Sequence, residues 1–193
     1  MNDTARIQAA LQDSIDVKRR FVETQLSIVL KICDCLTQVL QGGGTIYLCG
    51  NGGSAADAQH IAAEFVGRFL RERRALPAVA LTTNTSILTA IGNDYDFRVI
   101  FSRQVQAQAR PGDAVVGIST SGKSPNVLAA MAAAREIGAT AIGFTGEPGE
   151  PLGQACDLCL KVPTSSTPRI QEVHIMAWHM ICDIVEQRIM DQQ

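Results

Sequence analysis

The chain has 193 residues, 46% of them hydrophobic and 19% charged, so it can bury a sizeable core. Its formal net charge of −2, without a long basic run, makes nucleic acid a poor default partner. No segment has the length and purity of a transmembrane span, and the first residues lack the charged start and apolar stretch of a signal peptide. We therefore expect a cytoplasmic protein without a membrane or nucleic-acid partner.

The first predicted element is a long amphipathic helix over residues 3–40, which the glycines at 42–44 bring to an end. Such a helix needs another surface to cover its apolar stripe. That surface is either its own domain or a second subunit, and both interpretations stay open. The apolar residues that recur at helical spacing are Ile7, Leu11, Ile15, Val22, Leu26, Val29, Cys33, Leu36 and Leu40.

Beyond these glycines, predicted strands alternate with predicted helices. The strand segments are continuous apolar runs, which is typical of a parallel sheet covered on both faces. Right-handed crossovers then give a doubly wound α/β fold with a mainly parallel five-stranded sheet flanked by helices. In this architecture ligands gather at the carboxyl ends of the strands. The predicted strands are 45–49, 78–81, 114–118, 140–144 and 158–162, and the helices lie near 55–70, 86–91, 97–109, 124–137, 152–155 and 169–190.

The most informative segment follows the first predicted strand. A β-type run ends in a turn that contains Asn51, Gly52 and Gly53, and a helix begins at once. His60 and Glu64 are then one turn apart on the same helical face. The segment therefore places two groups that can bind metal or move protons beside backbone that can approach a ligand closely.

A second polar segment, residues 117–124, follows the third predicted strand and opens a helix. The hydroxyls of Ser119, Thr120, Ser121 and Ser124, with backbone N–H groups at a helix start, make a cradle for phosphate. The alternative is a helix entry capped by serines. The segment also matches the GxxxxGK[ST] pattern of nucleotide hydrolases, with Lys123 at the lysine position. No later hydrophobic strand ends in a suitable aspartate, so we interpret that match as accidental.

Three further sets of residues are candidates with ordinary alternatives. Gln171 and His179 project toward neighbouring sectors of the last helix, but His174 competes for the same role and spacing alone does not choose between the histidines. Asn93 and Asp94 can bind sugar hydroxyls or can simply form a turn or a helix cap. The six cysteines are expected to be reduced, and the CxxC pair at 156 and 159, whose spacing also occurs in metal and redox sites, is expected to pack as small hydrophobic groups.

Together these segments resemble the phosphoheptose isomerases (sedoheptulose 7-phosphate isomerases) of the sugar-isomerase, or SIS, domain superfamily. The resemblance runs over nearly the whole chain and rests on four motifs in order: the N-terminal helix, 49–60, 119–122 and 169–174. It implies the SIS fold and a single SIS domain over residues 1–193. Within it, 1–41 is a helical segment used in packing and oligomerisation, and 44–193 is the α/β core.

The resemblance also implies a cofactor, a substrate and an assembly. These are one zinc ion per site, a phosphorylated seven-carbon sugar and a homotetramer with its sites between subunits. The implied metal ligands are His60, Glu64, Gln171 and His179. The implied substrate-binding residues are Asn51, Gly52, Gly53, Glu64, Asn93, Asp94, Ser119, Thr120, Ser121, Ser124 and Gln171.

The implied reaction is conversion of D-sedoheptulose 7-phosphate to D-glycero-D-manno-heptose 7-phosphate through an enediol or enediolate. This step begins the nucleotide-heptose route used for the core of bacterial lipopolysaccharide. Glu64 is our choice for the base and His179 for the partner acid/base. The alternative is the related DnaA-associating initiator protein DiaA, a binding protein in replication initiation that lacks the second histidine of the metal set. This chain keeps His179, which favours the enzyme.

Overall fold

The first helix is long, as predicted. The structure, a computed structural model, describes residues 2–191, so the outer limits of the predicted domain lie outside the described residues. Helix α1 runs over Asp3–Gln41, and the Asn2 side chain caps it by accepting a hydrogen bond from Ala5 N. The helix ends where the glycines begin, with Gly43 at a φ of 80° that favours glycine.

The two halves of α1 have different surroundings. In the C-terminal half the predicted apolar stripe is buried, as at Val29, Cys33 and Leu36, mainly against the last helix and the last strand. In the N-terminal half Ile7 is 71% exposed and Leu11 62% exposed. The protomer therefore covers only one half of the apolar stripe. The covered half packs on its own domain, and the question of a second subunit concerns the exposed half.

Five parallel strands form one sheet, as predicted. They are β1 (Ile46–Gly50), β2 (Ala78–Ala80), β3 (Ala114–Ile118), β4 (Thr140–Thr145) and β5 (Leu158–Lys161), and their order is β2-β1-β3-β4-β5. The chain moves outward from β1 to β2 and then crosses to the other side at β3. The boundary between β1 and β3 is thus the topological switch point, where a doubly wound sheet opens a crevice for ligands.

Helices cover both faces of the sheet, which explains why the strand segments are apolar throughout. Along β1, Ile46 and Leu48 face the layer formed by α1 and two further helices, while Tyr47 and Cys49 face the opposite layer. The remaining helices are α2 (Gly53–Val66), α3 (Thr85–Asp94), α4 (Ser102–Gln108), α5 (Pro125–Ile137), α6 (Leu152–Ala155) and α7 (Thr167–Met190). Within residues 2–191, no helix is long and apolar enough to cross a membrane.

The largest differences from the predicted elements are at helix ends. The helix predicted for 55–70 ends at Val66, and a loop leads from there to β2. The segment predicted as one helix over 97–109 is divided into a short 3-10 helix, Phe97–Val99, and α4. The carboxylate of Asp96 accepts a hydrogen bond from Arg98 N and so caps a separate short turn. Side-chain caps of this kind depend on local geometry that apolar periodicity does not record.

Candidate functional site

The turn between β1 and α2 lies at the carboxyl end of β1, beside the switch point. Gly52 has a φ of 56°, which L side chains rarely adopt, and α2 begins at the next residue. A Cβ atom at Gly53 would lie only 2.6 Å from Nε2 of Gln171, so this glycine lets α7 approach the start of α2. The turn therefore brings the Gln171 amide to the N-terminus of the helix that carries His60 and Glu64.

A pair of amides connects this turn to the start of α5. Asn51 Nδ2 donates to Asn126 Oδ1 at 2.9 Å, and Asn126 Nδ2 donates back to Asn51 Oδ1 at 2.8 Å. Asn126 is only 2% exposed, and its Oδ1 also accepts from Val127 N. Asn126 is not among the site residues predicted from the sequence. The available signal was a polar residue in the first turn of a predicted helix, but that signal is typical of ordinary helix ends.

The serine turn, residues 119–124, follows β3 on the other side of the switch point. Ser119 is 4% exposed, and its Oγ lies 3.0 Å from Ser124 Oγ, just before α5 begins. Gly122 has a φ of 69°, and its N–H donates to Ser119 O. Hydroxyl groups and helix N–H groups thus collect at one place, which suits an anion. Lys123 is exposed, and its backbone N–H donates to Ser121 Oγ.

The two predicted site histidines meet across α2 and α7. His60 Nε2 lies 3.2 Å from His179 Nε2 and 3.4 Å from Glu64 Oε1. The ring of His179 also stacks on the ring of Phe69, with 5.5 Å between centroids and 29° between planes. The structure therefore brings His60, Glu64 and His179 together, although the two histidines are 119 positions apart in the chain.

The donor atoms of this cluster fit zinc in type, and the two spacings from His60 Nε2 suit a shared metal ion. Imidazole nitrogen and carboxylate oxygen are common zinc ligands, and tetrahedral bonds near 2.05 Å separate two ligand atoms by about 3.4 Å. The spacings from His60 Nε2 to its two neighbours are 3.2 and 3.4 Å. In the part of the chain that the structure describes, no group of three or more His, Cys, Asp or Glu side chains is arranged as a formed metal cluster. Two spacings around His60 thus suit a shared metal ion, whereas the three side chains together do not form a metal site in this arrangement.

His174 belongs to the core and not to this cluster. It is fully buried, its Nε2 lies 3.3 Å from Thr145 O, and burial lowers its pKa to about 4. The side chain of Asp57, by contrast, lies one turn before His60. Burial raises the pKa of its carboxyl group, and the charge of His60 opposes that rise. Asp57 is not among the predicted site residues either, although its i,i+3 spacing from His60 was a usable signal.

Asn93 and Asp94 lie in the last turn of α3, which extends further than the sequence predicted. Both residues are exposed, and Asn93 Nδ2 donates to Asp94 Oδ1 at 2.8 Å. Asp94 lines a cavity of about 320 Å³ together with Tyr95 and Arg103. Within this protomer Asp94 therefore lines a cavity that includes none of the other predicted site residues, and the role of Asn93 and Asp94 in sugar binding stays a prediction.

The CxxC pair lies against β4, near the edge of the sheet, and not at the switch point. A Cβ atom at Gly143, in the middle of β4, would lie 2.8 Å from Cys156 Sγ and 3.1 Å from Cys159 Sγ. Burial raises the pKa of both thiols. Both are therefore protonated at neutral pH and pack against the strand, as a small hydrophobic group does.

These features define a class: a doubly wound α/β protein with a hydroxyl-rich turn at the sheet's switch point and with two histidines and a glutamate grouped between α2 and α7. The family model of the SIS domain matches residues 11–146. The phosphoheptose isomerase of Roseiflexus sp. strain RS-1 is 57% identical over 182 residues, covering 94% of this chain and 92% of that protein. The chain belongs to the SIS-domain family and, within it, to the phosphoheptose isomerases.

Solved structures agree with this membership. The phosphoheptose isomerase GmhA of Neisseria gonorrhoeae is 44% identical with a TM-score of 0.91, and the match covers 96% of this chain and all (100%) of that one. The phosphoheptose isomerase of Francisella tularensis is 34% identical with a TM-score of 0.94, and the match covers 97% of this chain and all (100%) of that one. The SIS fold is therefore confirmed over nearly the whole chain.

Proposed function

We propose that this protein converts D-sedoheptulose 7-phosphate to D-glycero-D-manno-heptose 7-phosphate. The observation that carries the proposal is the convergence of His60, Glu64 and His179 from two distant helices. Membership of the phosphoheptose isomerases supplies the substrate class. None of the relatives named above supports the alternative of a DiaA-like binding protein.

Isomerisation moves a proton between adjacent carbons through an enediol or enediolate. Glu64 is the base in our proposal, because its carboxylate is held beside His60 with a side chain only 21% exposed. His179 is the partner acid/base that moves the proton at the substrate oxygen. General acid–base assistance of this kind contributes about 10²–10⁴-fold to the rate.

The ligands that we propose for zinc are His60, Glu64, Gln171 and His179. The first two lie on α2 and the other two on α7, so the packing of these helices decides whether the set can form. Bound zinc would supply a Lewis acid for the carbonyl oxygen of the substrate. Gln171 contributes a neutral, weak ligand, so we expect occupancy to depend on the substrate and on the metal supply.

The substrate phosphate is proposed to bind at the serine turn, through Ser119, Thr120, Ser121 and Ser124. The clustered hydroxyls and the N-terminus of α5 support this assignment. The turn at Asn51, Gly52 and Gly53 would contact the sugar through its backbone, since the Asn51 amide is already paired with Asn126. Holding the phosphate away from the reacting carbons uses binding energy for orientation.

A homotetramer with sites between subunits is the proposed assembly. The exposed apolar residues of α1 between positions 7 and 26, such as Ile7, Leu11 and Leu26, support association because a monomer rarely exposes a long apolar stripe. Asn93 and Asp94, exposed on α3, would then reach a site in a neighbouring subunit. Replacing Leu11 and Leu26 by Gln should lower the oligomer mass measured by light scattering. An unchanged mass would exclude this stretch of α1 from the interface.

The remaining parts of the proposal concern the cell. We propose that residues 1–193 act as a single SIS domain in the cytoplasm, at the start of the nucleotide-heptose route to lipopolysaccharide core or related glycans. The family membership and the phosphorylated substrate support this setting.

The decisive experiment incubates the purified protein with sedoheptulose 7-phosphate, before and after treatment with a chelator. We expect turnover that chelation lowers and added zinc restores. DnaA binding is measured on the same preparation. DnaA binding without any turnover, in protein reconstituted with zinc, would overturn the enzymatic proposal.

A further inference from the structure

The loop between α2 and β2 contains a buried ion pair that the proposed chemistry does not use. Arg73, from the loop, and Glu186, from α7, both have side chains that are 1% exposed, and Arg73 Nε lies 3.3 Å from Glu186 Oε1. Burying two charges has a desolvation cost that their attraction often fails to offset. The other contacts of the pair therefore indicate its role better than the ion pair itself does.

Arg73 caps the end of α2. Its Nη2 donates to Glu64 O at 2.8 Å, and its Nη1 donates to Phe65 O at 2.8 Å and to Gly67 O at 3.0 Å. The last carbonyl groups of a helix have no partner within the helix, and they carry partial negative charge. A single guanidinium group thus satisfies and fixes the end of the helix that carries His60 and Glu64.

Glu186 binds the backbone of the same loop. Its carboxylate accepts hydrogen bonds from the N–H groups of Phe69, Leu70 and Arg71, each at 2.9 Å. Burial disfavours the charge of Glu186, but these three donors together with Arg73 outweigh burial and hold its pKa below the ordinary value. The carboxylate is therefore ionised at neutral pH and holds three successive residues of the loop in place.

The hydrogen bonds from this loop to Glu186 also affect the surroundings of His179. The loop that Glu186 holds presents the ring of Phe69 to the ring of His179, at 5.5 Å between centroids. Glu186 lies two helical turns after His179 on α7. The loop that carries Phe69 is therefore fixed to the same helix that carries His179. Arg73 connects this arrangement to the end of α2 and hence to His60.

We propose that Arg73 and Glu186 are positioning residues that set the separation of His60 and His179. Arg73 fixes the end of α2, and Glu186 places Phe69 against the histidine ring on α7. The catalytic meaning of this geometry rests on the function proposed above. The geometry itself can be measured without substrate.

The first test is NMR of the histidine rings in metal-free protein, which has only three histidines to assign. Glu186→Gln keeps the size of the side chain but removes its charge, and Phe69→Leu removes only the stacked ring. Both variants should shift the His179 ring signals, because the ring current of Phe69 is displaced or lost. The ring signals of His174, which is buried and contacts Thr145 O, should keep their wild-type chemical shifts. These signals report whether the global structure is retained.

Asp183→Asn is the matched control. Asp183 lies on the same helix and pairs with Arg71 of the same loop at 2.6 Å, but its side chain is 45% exposed. Exposed pairs of this kind contribute little to stability. We therefore expect this variant to leave the His179 signals unchanged. Phe69→Tyr keeps an aromatic ring and should restore the wild-type spectrum.

The second test is zinc affinity by competition with a coloured chelator. Residues that orient a metal ligand typically change affinity by about 10–100-fold when replaced. Glu186→Gln and Phe69→Leu should therefore weaken zinc binding by about tenfold or more, whereas Asp183→Asn and Phe69→Tyr should stay within about twofold of wild type.

Two outcomes would overturn the positioning role. One is a Phe69→Leu spectrum in which His179 does not move. The other is a Glu186→Gln spectrum in which His174 shifts as much as His179, which would indicate general loss of structure. Absence of zinc binding and turnover in the wild type would contradict the proposed function, not the positioning role. The NMR comparison of the variants would still test the positioning role.

Discussion

The serine turn and the histidine pair are built from parts that lie at different distances along the chain. Ser119 and Ser124 are five positions apart, and one turn of backbone brings their hydroxyls to 3.0 Å. His60 and His179 are 119 positions apart and meet at 3.2 Å only because α2 packs on α7. The turn therefore depends on local backbone conformation, whereas the histidine pair responds to any change in how the two helices pack.

The largest expected effect is a loss of kcat on substitution in the cluster of His60, Glu64 and His179. Glu64→Gln keeps the shape of the side chain but removes the proposed base, so kcat should fall by about 10³-fold. The folded structure should persist, since the substitution leaves the backbone contacts of Glu64 O with Arg73 in place. Steady-state kinetics with circular dichroism measures both quantities. Near-normal kcat in Glu64→Gln would remove Glu64 from its role.

The second prediction concerns His174, which connects the two regions because it lies on α7 and contacts Thr145 O at the end of β4. As the pH falls below about 6.5, the unfolded chain takes up a proton at this residue. Folded His174, with a pKa of about 4, takes up its proton only at lower pH. The unfolded state thus binds more protons in this window, and stability should fall with decreasing pH, by about 3 kcal/mol at most from this group.

Urea unfolding measured between about pH 4 and about pH 7 tests this prediction against His174→Gln, which cannot titrate there. The variant should show a shallower loss of stability on acidification. Parallel curves for the two proteins would mean that other groups cause the acid sensitivity.

The third prediction concerns the serine turn itself. Gly122→Ala places a Cβ atom on backbone with a φ of 69° and within 2.7 Å of Gly149 O. Backbone strain of this kind costs about 1–3 kcal/mol. We expect a lower free energy of unfolding and a raised KM, because the proposed phosphate site changes shape. Gly43→Ala is the control, since Gly43 also has a positive φ and meets no atom within 4 Å but lies outside the proposed site. Equal KM values for Gly122→Ala and wild type would indicate that the serine turn does not bind the phosphate.

The smallest expected effect is Ser124→Ala, which removes one hydroxyl of the cradle and leaves its partner Ser119 in place. A hydrogen bond to a charged group contributes about 1.5–3 kcal/mol. KM should therefore rise by about tenfold or more while kcat changes little. Ser121→Ala gives a graded comparison, because Ser121 is exposed and already accepts from Lys123 N. A fall in kcat alone would argue against a binding role.

The same contrast explains how much the sequence could predict. Parallel strands, the glycine turn and the serine turn are local patterns, and the structure confirms the fold they predict. His60 and Glu64 follow from helical spacing. The choice of His179 over His174 came from a resemblance, because helical spacing does not show which side of α7 faces α2.

Long-range partners could not be predicted. Arg73 and Glu186 are far apart in sequence, and no pattern at either position indicates a buried ion pair. Asn126 is likewise 75 positions from Asn51. The exposed half of α1 was ambiguous for another reason: one apolar stripe serves two different surfaces, and periodicity does not record where one ends and the other begins.

The paired amides of Asn51 and Asn126 also bear on how the protein ages. An asparagine followed by glycine is prone to deamidation, in which the side-chain carbon is attacked by the nitrogen of the next residue. Here the Asn51 amide is held by two hydrogen bonds to a buried partner, and it has to leave both before it can turn toward Gly52 N. Once formed, an aspartate at this position would place a negative charge next to Asn126 and close to the phosphate cradle. The pair of hydrogen bonds that joins the β1–α2 turn to α5 is therefore expected also to slow deamidation of Asn51.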